Sequence, residues 1–265
     1  MPNEFIHYVK RIIVTRYPKD IDSSWFSELQ EYESGFDTPV YHITRLTNWP
    51  AIVVKTGDII WLVSQLSSPW GKLPPSIDAY IRVKSIEQKS NECGEIKIRY
   101  NASEDSKWFP LTDATKMLFK LTVISKSGKI TTPYNPEKDN LGQAFQSMKK
   151  IQTTEVIREW AEKVEKSDLH FISYRIVDGT KMAFMKTDYL LKKGLSVFWD
   201  RWSLPRRLAE RRELVSDESL DLLIENRIHQ AVTVWGIESP KYNEVCSYSA
   251  KEKMLATNLN KYQSG

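Results

Sequence analysis

The chain has 265 residues, more than the ~100 to 150 of a typical single domain, so two domains are expected. Its 41% hydrophobic and 27% charged residues exclude a disordered or fibrous protein, and a net charge of +4 is too small to signal nucleic-acid binding by itself. No apolar run approaches the roughly 18 residues of a membrane span, no signal-peptide pattern opens the chain, and Cys93 and Cys246 stand apart without metal-ligand spacing; a cytoplasmic protein with no membrane partner, disulfide framework or zinc site is expected.

From Val40 to about Ile130 short β-branched and aromatic runs alternate with turn residues: VYHIT (40–44), AIVV (51–54), DIIWLVS (58–64), IDAYIRVKSI (77–86), EIKIRY (95–100) and FKLTVIS (119–125). Thr56-Gly57-Asp58, Ser68-Pro69-Trp70-Gly71 and Pro74-Pro75 punctuate them, which predicts a small antiparallel barrel or sandwich over residues 1–135. The spacing of Leu141, Phe145, Met148, Ile151, Ile157, Trp160, Ala161 and Val164 predicts one or two amphipathic helices in a connector over 136–168.

Beyond it, strand and helix patterns alternate: HFISY (170–174), a helix from Thr180 to Lys193, LSVFWD (195–200), a helix faced by Leu220, Leu223, Ile224 and Ile228, and AVTVWG (231–236). Gly194 stands where a helix-terminating glycine belongs. Such alternation predicts parallel strands with helical crossovers over 169–265, an α/β unit after a β unit. In sheets of this kind ligands collect at the carboxyl ends of the strands, here Tyr174-Arg175, Asp200-Arg201-Trp202 and Gly236 to Pro240.

FISYR (171–175), Asp178-Gly179, GLSVFWDRWSLP (194–205), ESPKY (238–242) and SYSAKEKMLA (247–256), in this order, resemble a TIR domain. FISYR is similar to its first strand, WDRWSLP to the second strand running into the BB loop, and SPKY with the following segment to the third strand and its catalytic helix. The resemblance implies a flavodoxin-like parallel sheet. Because the chain ends soon after Glu252, it also implies that the last strands are missing and that the third strand is left as an apolar edge.

In TIR domains that hydrolyse NAD, a glutamate at the position of Glu252 carries the chemistry. The resemblance therefore implies a catalytic Glu252 with NAD as substrate and no separate cofactor. Tyr174, Arg175 and Asp178 are implied on the pocket loop, Trp202 and Leu204 in the BB loop, and Tyr248 where many such enzymes stack a tryptophan. Breaking the nicotinamide–ribose bond develops positive charge on the ribose, which a carboxylate can stabilise. A second reading of Glu252 stays open: Ser249 to Glu252 also has capping-box spacing.

The family relation implies an NAD glycohydrolase or ADP-ribosyl cyclase effector of a bacterial-type immune system, activated by self-association as a homo-oligomer. The alternatives are a non-catalytic TIR adaptor and a nucleic-acid-binding module whose TIR-like part makes protein contacts. GDIIWLVS (57–64) with SPWGKLPPSIDAYIRVKSI (68–86) is similar to PUA-like barrels that include ASCH and EVE modules. That similarity implies a nucleic-acid or modified-nucleotide ligand, with Trp49, Trp61 and Trp70 as candidate pocket residues or core. Arg206, Arg207, Arg211 and Arg212, interleaved with Glu210 and Glu213, fit a phosphate site or a solvated helix face. His7, His42, His170 and His229 show no spacing that pairs them as metal ligands.

Overall fold

A computed structural model describes residues 2–12, 38–90, 96–203, 217–243 and 247–265. The first part is a nine-stranded sheet. In chain order its elements, with those of a small side sheet, are β1 (Glu4–Tyr8), β2 (Arg11–Ile12), β3 (Tyr41–Thr44), β4 (Ile59–Ser64), β5 (Leu66–Ser68), β6 (Gly71–Lys72), β7 (Ser76–Ser90), β8 (Ile96–Ala102), β9 (Lys107–Trp108), α1 (Thr115–Lys120), β10 (Val123–Ile124), β11 (Ile130–Thr131), α2 (Leu141–Phe145), β12 (Lys149–Ile151) and α3 (Thr154–Glu165).

The order is β11-β10-β12-β1-β4-β7-β8-β3, with β9 on β7, while β2, β5 and β6 form the side sheet. The sheet is mixed and not purely antiparallel as expected, because β1 pairs parallel with β4. It curls until its end strand β3 faces β1, bringing His7 Nδ1 to 2.8 Å from His42 Nε2. Two histidines that the sequence leaves apart are thus partners in the fold. Burial pushes His7 down to about 4 and His42 well below the usual range, so the pair is neutral near pH 7.

Two expected strands are different elements. AIVV forms a 3-10 turn, Ala51–Val53, because Pro50 starts it and Asn48 O accepts from Ile52 N; Ile52 and Val53 face outward. FKLTVIS is split, with Phe119 and Lys120 ending α1. There Asp113 Oδ1 accepts from Thr115 N, and Met117 and Leu118 form the buried face. The segment expected as a helical connector does hold two helices, but between them β12 joins the first sheet, pairing with β1 and β10. Ile157, Ala161 and Val164 of α3 pack into the core around Trp61 and Phe109. Arg158 of the same helix bonds the buried Glu4 carboxylate.

The second part contains β13 (Leu169–Tyr174), α4 (Thr180–Lys192), β14 (Ser196–Phe198), α5 (Asp200–Ser203), α6 (Asp217–Gln230), β15 (Thr233–Ile237), α7 (Tyr248–Asn258) and β16 (Tyr262–Ser264). Gly194 after α4 has a φ of 77°, the left-handed conformation its predicted role requires. All four strands are parallel, in the order β14-β13-β15-β16. The expected open edge of the third strand is therefore corrected: β15 is covered by β16, with Val234 opposite Tyr262 and Gly236 opposite Ser264. The Tyr262 ring crosses directly over Gly236, where any Cβ would collide with it.

The opposite edge is covered by the first part. Leu111 and Val197 exchange both backbone hydrogen bonds, at 3.0 and 2.8 Å. Leu66, Leu73 and Leu111 share a core with Ile172, Leu191, Val197 and Trp199. Ser196 Oγ also meets Thr112 Oγ1 and Ser167 Oγ.

Candidate functional site

Helices cover both faces of the parallel sheet, so Phe171, Ile172, Ser173 and Tyr174 of β13 are all buried. A hydroxyl inside such a run needs a hydrogen-bond partner. Ser173 Oγ lies 2.5 Å from Glu252 Oε2 and 2.8 Å from the Tyr242 hydroxyl, drawing together the carboxyl end of β13, the loop after β15 and helix α7.

The geometry of α7 decides how Glu252 is used. Ser247 caps the helix, its Oγ accepting from Ala250 N at 3.1 Å. Ser249 Oγ instead donates to Tyr242 O at 2.6 Å. This corrects the Ser249 capping-box expectation, because Glu252 falls beyond the first turn and its carboxyl meets Ser173. Burial raises Glu252 to about 8; the Ser173 hydroxyl pulls against that shift and the Asp200 charge adds to it. The group is therefore mostly a neutral acid at pH 7. A cation placed beside it would favour its ionised form.

Next to this pair stands a second polar group. The Tyr174 hydroxyl donates to Asp200 Oδ1 at 2.7 Å and accepts from Arg201 Nε at 3.0 Å. Burial, reinforced by Asp200, holds Tyr174 well above its usual range. On the other side, Tyr242 is buried and pushed up to about 12, chiefly by desolvation. The Tyr262 hydroxyl donates to Glu238 Oε1 at 2.7 Å. Lys253 Nζ donates to the same Glu238 oxygen at 2.7 Å.

The remaining expected residues take varied places. Tyr174 is at the strand end as expected, beside Asp200. Arg175 is half-buried, and its carbonyl accepts from Gly179 N at 2.7 Å. A Cβ at Gly179 would stand 2.8 Å from that carbonyl oxygen, so the tight turn into α4 needs glycine. Asp178 ties two loops together, accepting from Ser239 Oγ and Lys241 N at 2.7 and 2.9 Å. Trp202 is core: it is buried in the shared cluster, and its Nε1 donates to Phe109 O across the boundary between the parts. Tyr248 opens α7, half-buried, with Lys251 Nζ 5.3 Å from its ring centre. Leu204, the arginine cluster at 206–212, Cys93 and Cys246 lie outside the described residues.

Trp49, Trp61 and Trp70, the candidate pocket residues, have different surroundings. Trp61 sits in the core beside Phe109 with its Nε1 on Glu4 Oε2, and Trp70 leans on Phe184 of the second part. Trp49 is half-buried before the turn at Pro50. Among the described residues no cluster of three or more metal-ligating side chains is gathered, and no helix is long and apolar enough to cross a membrane.

Three site residues carry weaker signals in the sequence. Ser173 is the hydroxyl within an apolar strand, and Tyr242 ends the ESPKY segment. Tyr262 lies in KYQSG, which has no strand pattern. No family model, curated protein or solved structure matches the chain.

Proposed function

We propose that the chain is an NAD glycohydrolase, or an ADP-ribosyl cyclase, in which Glu252 is the catalytic carboxyl. The observation that carries this reading is the placement of Glu252 on the helix after the third strand, buried against Ser173 at the carboxyl end of the central strand. The strand order β14-β13-β15-β16 supports a flavodoxin-like sheet of the TIR kind, whose fourth strand is the short β16.

NAD carries its positive charge on the nicotinamide ring, and nicotinamide departs as a neutral molecule. The charge moves to the ribose as that bond breaks, and ionised Glu252 stabilises it there. Water then adds to the ribosyl carbon and releases a proton, or an internal nucleophile closes the ring to a cyclic product. Self-association in a bacterial-type defence role belongs to the same reading. A purely structural role for Glu252 explains less, since a carboxyl raised to about 8 by burial favours unfolding at neutral and alkaline pH.

The test is NAD consumption and nicotinamide release by concentrated protein, with and without a crowding agent. Glu252→Gln keeps the shape and removes the charge, and should lower turnover by at least about a hundredfold. Turnover that survives in this variant, or is absent from both proteins despite self-association, would sink the enzyme reading and favour the adaptor.

A further inference from the structure

A serine hydroxyl has one proton to give and two lone pairs to receive with, so its neighbours decide which way it points. Ser173 Oγ has two neighbours of unequal character, the Tyr242 hydroxyl at 2.8 Å and Glu252 Oε2 at 2.5 Å. A phenol is a stronger donor and a weaker acceptor than an alkyl hydroxyl, and a carboxylate oxygen is the strongest acceptor of the three. The Tyr242 proton therefore goes to Ser173, and the Ser173 proton to Glu252.

The fold fixes both donors. Ser173 lies inside β13 opposite Gly236. Tyr242 N donates to Ser239 O at 2.9 Å, and Tyr242 O accepts from Ser249 Oγ at the head of α7, the helix that carries Glu252. Among the described residues no second group bonds the Glu252 carboxyl, and Glu252 keeps 9% of its surface exposed where Ser173 and Tyr242 keep none. We infer that Ser173 and Tyr242 are positioning residues that hold Glu252 Oε2 turned inward as a permanent acceptor, so that the carboxyl gains and loses its proton at Oε1, the oxygen left for substrate.

In the neutral acid the proton has to sit on Oε1, because Oε2 accepts from Ser173. When a cation develops beside the group, the O–H bond at Oε1 breaks, its electron pair stays with the carboxylate and the proton passes to water. Ser173 donates to Oε2 before and after, and its bond strengthens as the charge appears. No donor has to reorient, which is the condition for effective electrostatic stabilisation. The other ionisable groups facing Glu252 are Tyr242 itself and the Asp200 charge beyond β14. Asp221 of α6 is engaged by Lys251, and Lys253 by Glu238 and Asn243.

The assignment rests on Glu252 as a titrating carboxyl, its use in turnover rests on the NAD reading, and the test separates the two. The carbonyl infrared band of protonated Glu252, taken as the difference from Glu252→Gln, is followed through a pH titration of the full chain, with a midpoint expected at about 8. In Ser173→Ala the carbonyl loses its donor, so the band should move to higher wavenumber and the midpoint should rise by about one unit or more. Ser173→Thr, which restores a hydroxyl, should return both. Tyr242→Phe should raise the midpoint by less, because it frees Ser173 to turn. A band that stays in place in Ser173→Ala would show that the carboxyl donates to Ser173, and would overturn the assignment, as would an unmoved midpoint. If Ser173→Ala does not fold, the Tyr242→Phe titration decides alone. With NAD, Ser173→Ala should lower kcat about tenfold at neutral pH and leave KM within about twofold, with kcat rising along the new midpoint. A shifted titration in a chain that never consumes NAD would keep the positioning and discard the hydrolase, whereas Glu252-dependent turnover with an unshifted titration would do the reverse.

Discussion

At the level of single residues, the cost of Glu252 is measurable. Unfolding returns its pKa to about 4.5, while the folded protein holds the proton up to about 8. Between those values the folded state binds more protons than the unfolded chain, so the contribution to stability is fully present below 4.5 and is lost as pH rises to 8. Glu252→Gln has no such loss. The variant should match the parent in acid and become more stable than it above pH 8, by at least about 1 kcal/mol. Denaturant midpoints across that window check this; a variant less stable at every pH would show that the carboxylate itself holds the helix in place.

At the level of elements, the last strand depends on one small residue. Gly236→Ala puts a methyl into the Tyr262 ring, so either β16 lifts away or β15 distorts. The expected cost is about 1 to 3 kcal/mol, partly recovered when Tyr262→Ala is added to the same chain. Additive losses in that double variant would mean that the ring and the glycine do not act on each other. The same pairing shows where sequence reading runs out. DIIWLVS and HFISY are legible because turn residues bound an apolar run, and α4 because its apolar face repeats with helical spacing before Gly194. Tyr262–Ser264 has three residues and no apolar pattern, and it is a strand only because β15 offers it hydrogen bonds. Glu4–Tyr8 is hidden for a related reason, since its partners β4 and β12 are far along the chain. Within the site, the position of Glu252 is readable from the ordered motifs. Its contact with Ser173 is not, because 79 residues separate them.

At the level of the whole molecule, the sequence texture divides the chain into two domains, yet the described parts are fastened to each other. The Leu111–Val197 exchange, the Trp202 to Phe109 bond and the leucines shared with the second core all cross the boundary. Heat unfolding should therefore give one calorimetric transition rather than two, with its calorimetric and van't Hoff enthalpies equal. Two separable transitions would show that these crossings add little. The Leu111 bridge bears on assembly as well. Val197 spends its outward amide and carbonyl there, and β15 gives its own outward groups to β16. On the β14 side the bridge thus occupies backbone groups that a neighbour's strand would need, and the rim left for such pairing is β16, only three residues long. A ribbon of copies grown through the sheet would hang on that short strand alone, which favours assembly through helices and loops, where contacts can be made and released without tearing a backbone ladder.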